Sequence, residues 1–560
     1  MYKTLAEQND LAKRIEELTI RLTNVISVTE TAGEIDVSQE VFDIFMEMDY
    51  YKEHPEDVYI QDIPTDRLGR KNVIAILRGK KNNSKKAISL LGHTDTVGIS
   101  DYGTLVDFCN KPYELTEKMS EIIHTLPTHV QEDMKSEKED FLFGRGIFDM
   151  KSGDAIIIAL MEAISKDLEN FEGNIIYTAV CDEESNSAGM FAAVPELNRI
   201  RNDNDWDILG MIDTDYMTNE YHGDEDKYVY VGAVGKLMPS FFVVGQETHV
   251  GESFNGFDPN QMVAELTKKI NMNTEYCDIA EGQVTLPPLT LKQRDLKPEY
   301  SVQSAKTSTL FFNYATHKST PDEVLEKMVA AAKECMQTSI DDLNKQYKNF
   351  CEMSKIEHKA LPWKEHVITY DELYAKVKEE MGIKLDVIIS EFEEEKLKDE
   401  KMDERDYSLA LVEKVHSLWS DRDPVIVVYF TPPYYPHIFV DGKTEKEQKV
   451  LKAVKDAVSE TESDYNLVYK NFFPYIADIS FAAAPQGEDT INALKHNMPG
   501  FGTKYIMPLD DMAELNLPVL DIGPFGKDAH KYTERLETNY SFNITPELVY
   551  RTMVNLLSGN

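Results

Sequence analysis

Leu90-Leu91-Gly92-His93-Thr94-Asp95-Thr96-Val97-Gly98 is the stretch from which the rest of the chain can be read. The apolar run Ala87-Ile88-Ser89-Leu90-Leu91 leads straight into a glycine, then a histidine and an aspartate two apart. A strand end is a rigid launch point, and Gly92 lets the backbone pass close to whatever the imidazole binds. Asp95 can accept a hydrogen bond from the far nitrogen of His93. Such a pair fixes the tautomer and raises the basicity of a metal-binding histidine. Alone, the triplet reads more readily as a plain polar loop, so its meaning depends on what recurs downstream.

Working outward, strand-like NVIAIL (72–77) precedes the basic turn RGKKNNSKK (78–86), and residues 1 to about 50 read as one or two helices. Residues 100–140 are polar and acidic and too long for a simple connection, which marks an insertion or loop near the site. FGRGIFDMKSG (143–153) precedes a helix, DAIIIALMEAISKDL; strand-like NIIYTAV (174–180) runs into CDEESNSAGM; and WDILGMID (206–213) ends in Asp213-Thr214-Asp215. Alternating strands and helices predict an α/β domain on a mostly parallel sheet. After about residue 235 the order becomes β-α-β-β-α, which suits an inserted α+β lid domain. The expected division is 1–234, catalytic; 235–345, lid and dimerisation; 346–420, a charged helical insertion; and 421–560, catalytic again. The strand DPVIVVYF (423–430) is read as the start of that return.

Composition narrows the partners. A chain of 560 residues exceeds one ordinary core, and 42% hydrophobic with 28% charged residues is a globular profile. A net charge of −40 argues against nucleic acid and favours cationic small molecules, although much of it sits in helical runs that read as plain surface. No run approaches the roughly 18 apolar residues of a membrane span, and the N-terminal segment lacks the core of a signal peptide. Five scattered cysteines with no CxxC pair point to a reducing, cytoplasmic setting.

His93, Asp149, Glu183-Glu184, Asp213 and His530 all fall at strand ends or in the loops after them, the edge of an open α/β sheet where ligands bind. Carboxylates and imidazoles without a thiolate match a two-metal hydrolytic centre, with zinc the first expectation and manganese or cobalt the alternatives. Asp213 and Asp215 both compete for one position.

In order, GHTDTV, GRGIFDMKSG, CDEES, a strand-terminal acid and GPFGKDAH with Glu534 resemble the M20 metallopeptidases over residues 25 to 555. The insertion at 345–420 and the strings VVYFTPPYYPH and FFPYIADISF are most similar to its arginine-utilisation branch, the RocB branch. The resemblance implies that His93 binds one metal with Asp95 orienting it, and that Asp149 bridges both, followed by a cis peptide. Glu183 is then the general base, Glu184 and His530 serve the second metal, and Asp213, preferred over Asp215 by family spacing, completes the first. His249 in QETHVGESFNG would be the lid histidine that reaches an active site, often the partner's in a homodimer. Asp478 resembles a substrate-pocket aspartate. The family's lid arginine is replaced by Asn313; Arg294 and Lys318 could bind a substrate carboxylate but also read as surface residues. The resulting expectation is a metallohydrolase that cleaves an amide C–N bond in a small amino-acid derivative or short peptide, with the branch resemblance pointing to an arginine-related one. The rival is a catalytically silent binding or regulatory protein on the same fold.

Overall fold

The computed structural model describes residues 2–64, 66–136, 138–485 and 487–559. The chain divides into two compact units: Met1–Ala233 with Ile438–Ala484 and Pro508–Asn560, and Val234–His437 with Pro485–Met507.

The first unit is built on eight strands: β1 (Val58–Asp62), β2 (Lys71–Arg78), β3 (Lys86–His93), β4 (Asn174–Val180), β5 (Asp207–Asp213), β6 (Lys227–Val231), β7 (Leu467–Lys470) and β8 (Val519–Asp521). Their order across the sheet is β1-β2-β4-β3-β5-β8-β6-β7. The central four, β4-β3-β5-β8, are mutually parallel, while β1 and β2 on one flank and β6 against β8 on the other pair antiparallel. All of β4 is buried, as is β5 beyond its first residue, so these strands read as unbroken apolar runs rather than alternating ones. Helix Ser152–Ser165 is apolar almost all round and nearly wholly buried, and it packs against Leu11–Thr23. Because the central strands are parallel, their C-terminal ends share one edge, which gathers His93, Cys181 and Asp213.

Residues 100–140, expected to be an insertion or loop, fold into short helices with their own core of Tyr102, Cys109, Leu115, Met119, Leu126, Val130, Phe141 and Phe143. Strand Phe141–Phe143 pairs with Arg535–Glu537, which pairs with Gly526–Lys527, so this segment is tied to the loop that carries His530.

The second unit has a six-stranded sheet in the order Leu289–Asp295, Thr307–Thr316, Pro239–Val244, Val425–Phe430, Val367–Thr369, with Gly235–Leu237 pairing Thr307–Thr316. Val425–Phe430, expected to return the chain to the first unit, is instead an interior strand here, antiparallel to Pro239–Val244. A fully buried apolar strand reads the same in either sheet, so composition could not place it. Its alternation then sets the layers. Val425, Val427 and Tyr429 pack with Phe242 and Val244 against apolar residues of helices Tyr370–Met381, Ile383–Lys396 and Glu404–Leu418. The charged 346–420 segment is therefore a helical layer of this unit. Pro259–Ile270 and the 34-residue helix Pro321–Ser354 pack on the sheet and on each other. Among the described residues, no helix is long and apolar enough to cross a membrane.

Candidate metal centre

His93 is the last residue of β3 and is 2% exposed. Gly92 lies within the strand, not in a turn after it. A Cβ there would stand 2.2 Å from Asp154 Oδ1, so the glycine makes room for a buried carboxylate rather than for a bend. Asp154 Oδ1 also accepts from Tyr177 Oη at 2.6 Å. His93 Nδ1 lies 3.1 Å from the Asp95 carbonyl oxygen and 3.6 Å from the Asp95 carboxylate. A proton on Nδ1 shared with that carbonyl leaves Nε2 for a metal. The Asp95 carboxylate itself has a different partner: its two oxygens accept the backbone N–H groups of Glu183 and Glu184, each at 3.1 Å. It clamps the acidic turn more firmly than it touches the imidazole.

Asp149 follows Gly146, which takes a positive φ, and its peptide to Met150 is cis. One carboxylate oxygen lies 3.1 Å from His93 Nε2 and the other 3.0 Å from His530 Nε2. Glu184 Oε1 is 3.2 Å from the same His530 nitrogen. Two sets of donor atoms converge within 4.8 Å among the described residues: His93, Asp149 and Asp215, and Asp149, Glu184 and His530. Asp215 thus stands where the sequence favoured Asp213. Strand β5 ends at Asp213, whose carbonyl accepts from Ile522 N at 3.0 Å, and the chain then carries Asp215 into the donor set. Gly523 permits this passage, because a Cβ there would fall on the Asp215 carbonyl. Glu183 Oε2 lies 3.9 Å from His93 Nε2, beside the first set.

The donor chemistry fits hard or borderline divalent cations, since oxygen and imidazole nitrogen converge with no sulfur. The charge balance supports the same reading. Asp95, Asp149, Asp213, Asp215, Asp478 and Asp521 are all buried. Burial pushes Glu183 and Asp213 well above the usual carboxylate range, Asp215 up to about 8 and Asp478 up to about 7. Burial works against the His530 imidazolium, yet its bonds to Asp149 and Glu184 lift it to about 11. Burial likewise opposes ionisation of Asp149, but the bonds from His530 and His93 hold it below its ordinary value. Burial thus holds Glu183, Asp213, Asp215 and Asp478 toward their protonated forms, and such a group of buried carboxylates is a place where divalent charge is favoured.

His530 has a positive φ in a loop held by Asp528, whose carboxylate accepts from His129 Nε2, Lys531 Nζ and Thr533 Oγ1 at 2.9 Å each and from Arg535. Glu534 is buried, accepts from Arg145 Nη1 at 2.7 Å, and faces the backbone N–H groups of Phe148 and Asp149 at 3.4 and 3.5 Å. Arg145 lies inside GRGIFDMKSG but was given no role there, and His129, Arg535, Asp154 and Arg70 fall outside the quoted site motifs. Each acts through folding contacts that join distant segments, for which spacing along the chain carries no signal.

His249 is exposed on the second unit, and its Nδ1 accepts from Gly251 N at 3.1 Å. In that unit too, Asn313 pairs opposite Leu289, and Arg294 binds Asp406 at 2.9 Å. Asp478 is buried in the first unit at the start of a short helix, Asp478–Ala482.

Residues 123–538 match the family model for peptidase family M20/M25/M40. Over 560 residues the chain is 32% identical to protein RocB of Bacillus subtilis, spanning all of this chain and 97% of that one. It is 33% identical over 553 residues to YqjN of the same bacterium, spanning 97% of this chain and 96% of that one. A tripeptidase from Staphylococcus aureus shares the fold at a TM-score of 0.51 and 12% identity, covering 98% of this chain and 99% of that one. With these sequence matches and this convergence of carboxylates and imidazoles, the chain belongs to peptidase family M20/M25/M40, a family of metallohydrolases.

Proposed function

We propose that the chain hydrolyses an amide C–N bond in a small amino-acid derivative or short peptide, using two divalent cations, zinc foremost. The observation that carries this reading is Asp149, which presents one oxygen toward each imidazole at 3.1 and 3.0 Å, with Glu183 beside His93. His93 and Asp215 would hold one cation, Glu184 and His530 the other, and Asp149 both. When bound, the pair supplies Lewis acidity and lowers the pKa of a water toward neutrality.

The protein's own groups carry the protons. Glu183 accepts one at its carboxylate as water attacks the amide carbonyl, then returns it to the leaving nitrogen. Asp95 keeps the turn that carries Glu183 and Glu184 in register through both backbone N–H groups. The role given to His249, on the oxyanion side, rests on its motif. It predicts a lower kcat with unchanged metal content on His249→Ala. A net charge of −40 supports a cationic substrate, the likeness to RocB supports an arginine-related one, and five free cysteines support a cytoplasmic setting.

The test is a screen of N-acylated, N-carbamoyl and dipeptide substrates with zinc, manganese or cobalt, alongside metal analysis of the purified protein. Turnover that needs divalent metal and is lost in Glu183→Gln supports the reading; a protein that binds no divalent metal sinks it.

A further inference from the structure

Beside the acidic turn lies a buried ion cluster centred on Arg70, which is 7% exposed. Its guanidinium meets three carboxylates. Nε and Nη2 donate to Asp66 Oδ1 at 3.0 and 2.7 Å, and Nη1 donates to Glu34 Oε1 at 3.4 Å and to Asp182. Glu34 and Asp182 in turn hold the backbone. Glu34 Oε2 accepts Asp182 N at 2.9 Å, and Asp182 Oδ2 accepts Ala188 N at 3.1 Å, at the start of helix Ala188–Asn204. The Asp182 carbonyl accepts from the N–H groups of Ser185, Asn186 and Ser187 at 3.4, 3.2 and 2.8 Å. With Asp95 receiving Glu183 and Glu184, every backbone N–H from 182 to 188 has a named acceptor.

This accounting matters because the turn is not a relaxed one. Asp182 and Ser187 both take positive φ, at 66° and 58°, without being glycine. Non-glycine residues keep such angles only where surrounding contacts over-determine them. Three carboxylates supply those contacts, and two of them share one cation. A buried carboxylate stripped of its partner is costly, so loss of Arg70 would free Glu34 and Asp182 to shift toward solvent or other donors.

We infer that Arg70 is a positioning residue for Glu183 and Glu184, acting through Glu34 and Asp182 on the turn that carries them. The inference rests on the proposed roles of Glu183 as base and Glu184 as a donor to the second cation. Arg70 touches neither side chain, so its effect should show in how well those groups are placed rather than in how substrate is bound.

The experiment uses the full chain, stripped by chelation and reloaded with cobalt(II), followed by visible absorption as each equivalent is added, with kcat and KM on a hydrolysed amide. Arg70→Met should lower kcat about 10- to 100-fold with KM within about twofold, and weaken the looser of the two cobalt affinities by a similar factor, the range seen when outer supports of metal sites are removed. Arg70→Lys keeps the charge but loses the fork, and should fall between wild type and Arg70→Met in both readouts. If Arg70→Met does not fold, Arg70→Lys decides on the same criteria. A folded variant with kcat within about twofold of wild type and unchanged cobalt titration overturns the inference. Glu183→Gln, run in parallel, separates the two claims: if it stays active the base assignment fails, while the cobalt affinity of the Arg70 variants still reports on placement of Glu184.

Discussion

The two halves of the donor set are built differently. His93, Asp149 and Asp215 are all buried; His93 ends one strand of the parallel core and Asp215 lies just beyond another. In the other half, Asp149 is shared, Glu184 sits on a turn, and His530 hangs from a loop with its side chain 49% exposed. In the first half, His93 is held in the parallel sheet, and all three residues are buried from solvent. The second depends on ionic links, and the one at His129 is itself half exposed. A site assembled this way should hold one cation tightly and exchange the other, since the loop can open without disturbing the core.

The largest expected effect leaves both halves intact and removes only the proton carrier. Glu183→Gln should cut kcat by about 10²- to 10⁴-fold, the range for general acid–base groups, while metal analysis still finds both cations. Next comes a direct test of the tight half. Asp215→Asn should weaken the tighter metal affinity and lower kcat by at least about tenfold, whereas Asp213→Asn should leave that affinity within about threefold. The reverse ranking, read by metal titration, would return Asp213 to the site. His530→Ala should then abolish the looser binding step and spare the tighter one. Loss of both steps together would erase the distinction between the halves.

The parts that were legible in the sequence were those where one short segment carries both the strand and its functional group. GHTDTV, FDMKSG, CDEES and GKDAH each place their side chain within a few residues of a structural punctuation mark, so His93, Asp149, Glu183, Glu184 and His530 could all be nominated. Asp213 was preferred over Asp215, and the donor set takes Asp215, because two carboxylates at the same parity differ only in where the strand stops. That is set by Ile522 and Gly523, some 300 residues away. The second role of Asp95, and all of Arg70, Arg145 and His129, were hidden for the same reason: their partners come from other segments. Strand Val425–Phe430 was assigned to the wrong sheet because buried strands of either unit have the same apolar composition.

Acidity offers a way to sharpen the contrast. In the metal-free protein, Asp149 and Glu184 hold the His530 imidazolium up to about 11, above the unfolded value near 6.5. A histidine raised on folding contributes stability that is complete below about 6.5 and is lost as pH rises toward the folded value. Metal binding requires the neutral imidazole and so has the opposite dependence. The melting temperature of metal-loaded over metal-free protein should therefore diverge as pH is raised from about 6.5 to 9, and the divergence should shrink in His530→Gln. A gap that is flat with pH would show that His530 does not exchange a proton for a cation.

The smallest effect expected belongs to the outermost link of the loose half. His129 Nε2 reaches Asp528 Oδ2 at 2.9 Å, but the imidazole is half exposed. Exposed pairs contribute about 0–1 kcal/mol, so His129→Ala should scarcely move the melting temperature. Yet Asp528 stands two residues before His530 and is also held by Arg535, Lys531 and Thr533. Removing one of four partners should therefore loosen the second cation by no more than a few-fold, measured by cobalt titration, and leave the first unchanged. A large loss at the second step would mean that the helices of residues 100–140 do more than brace the loop and that His530 depends on them for its position.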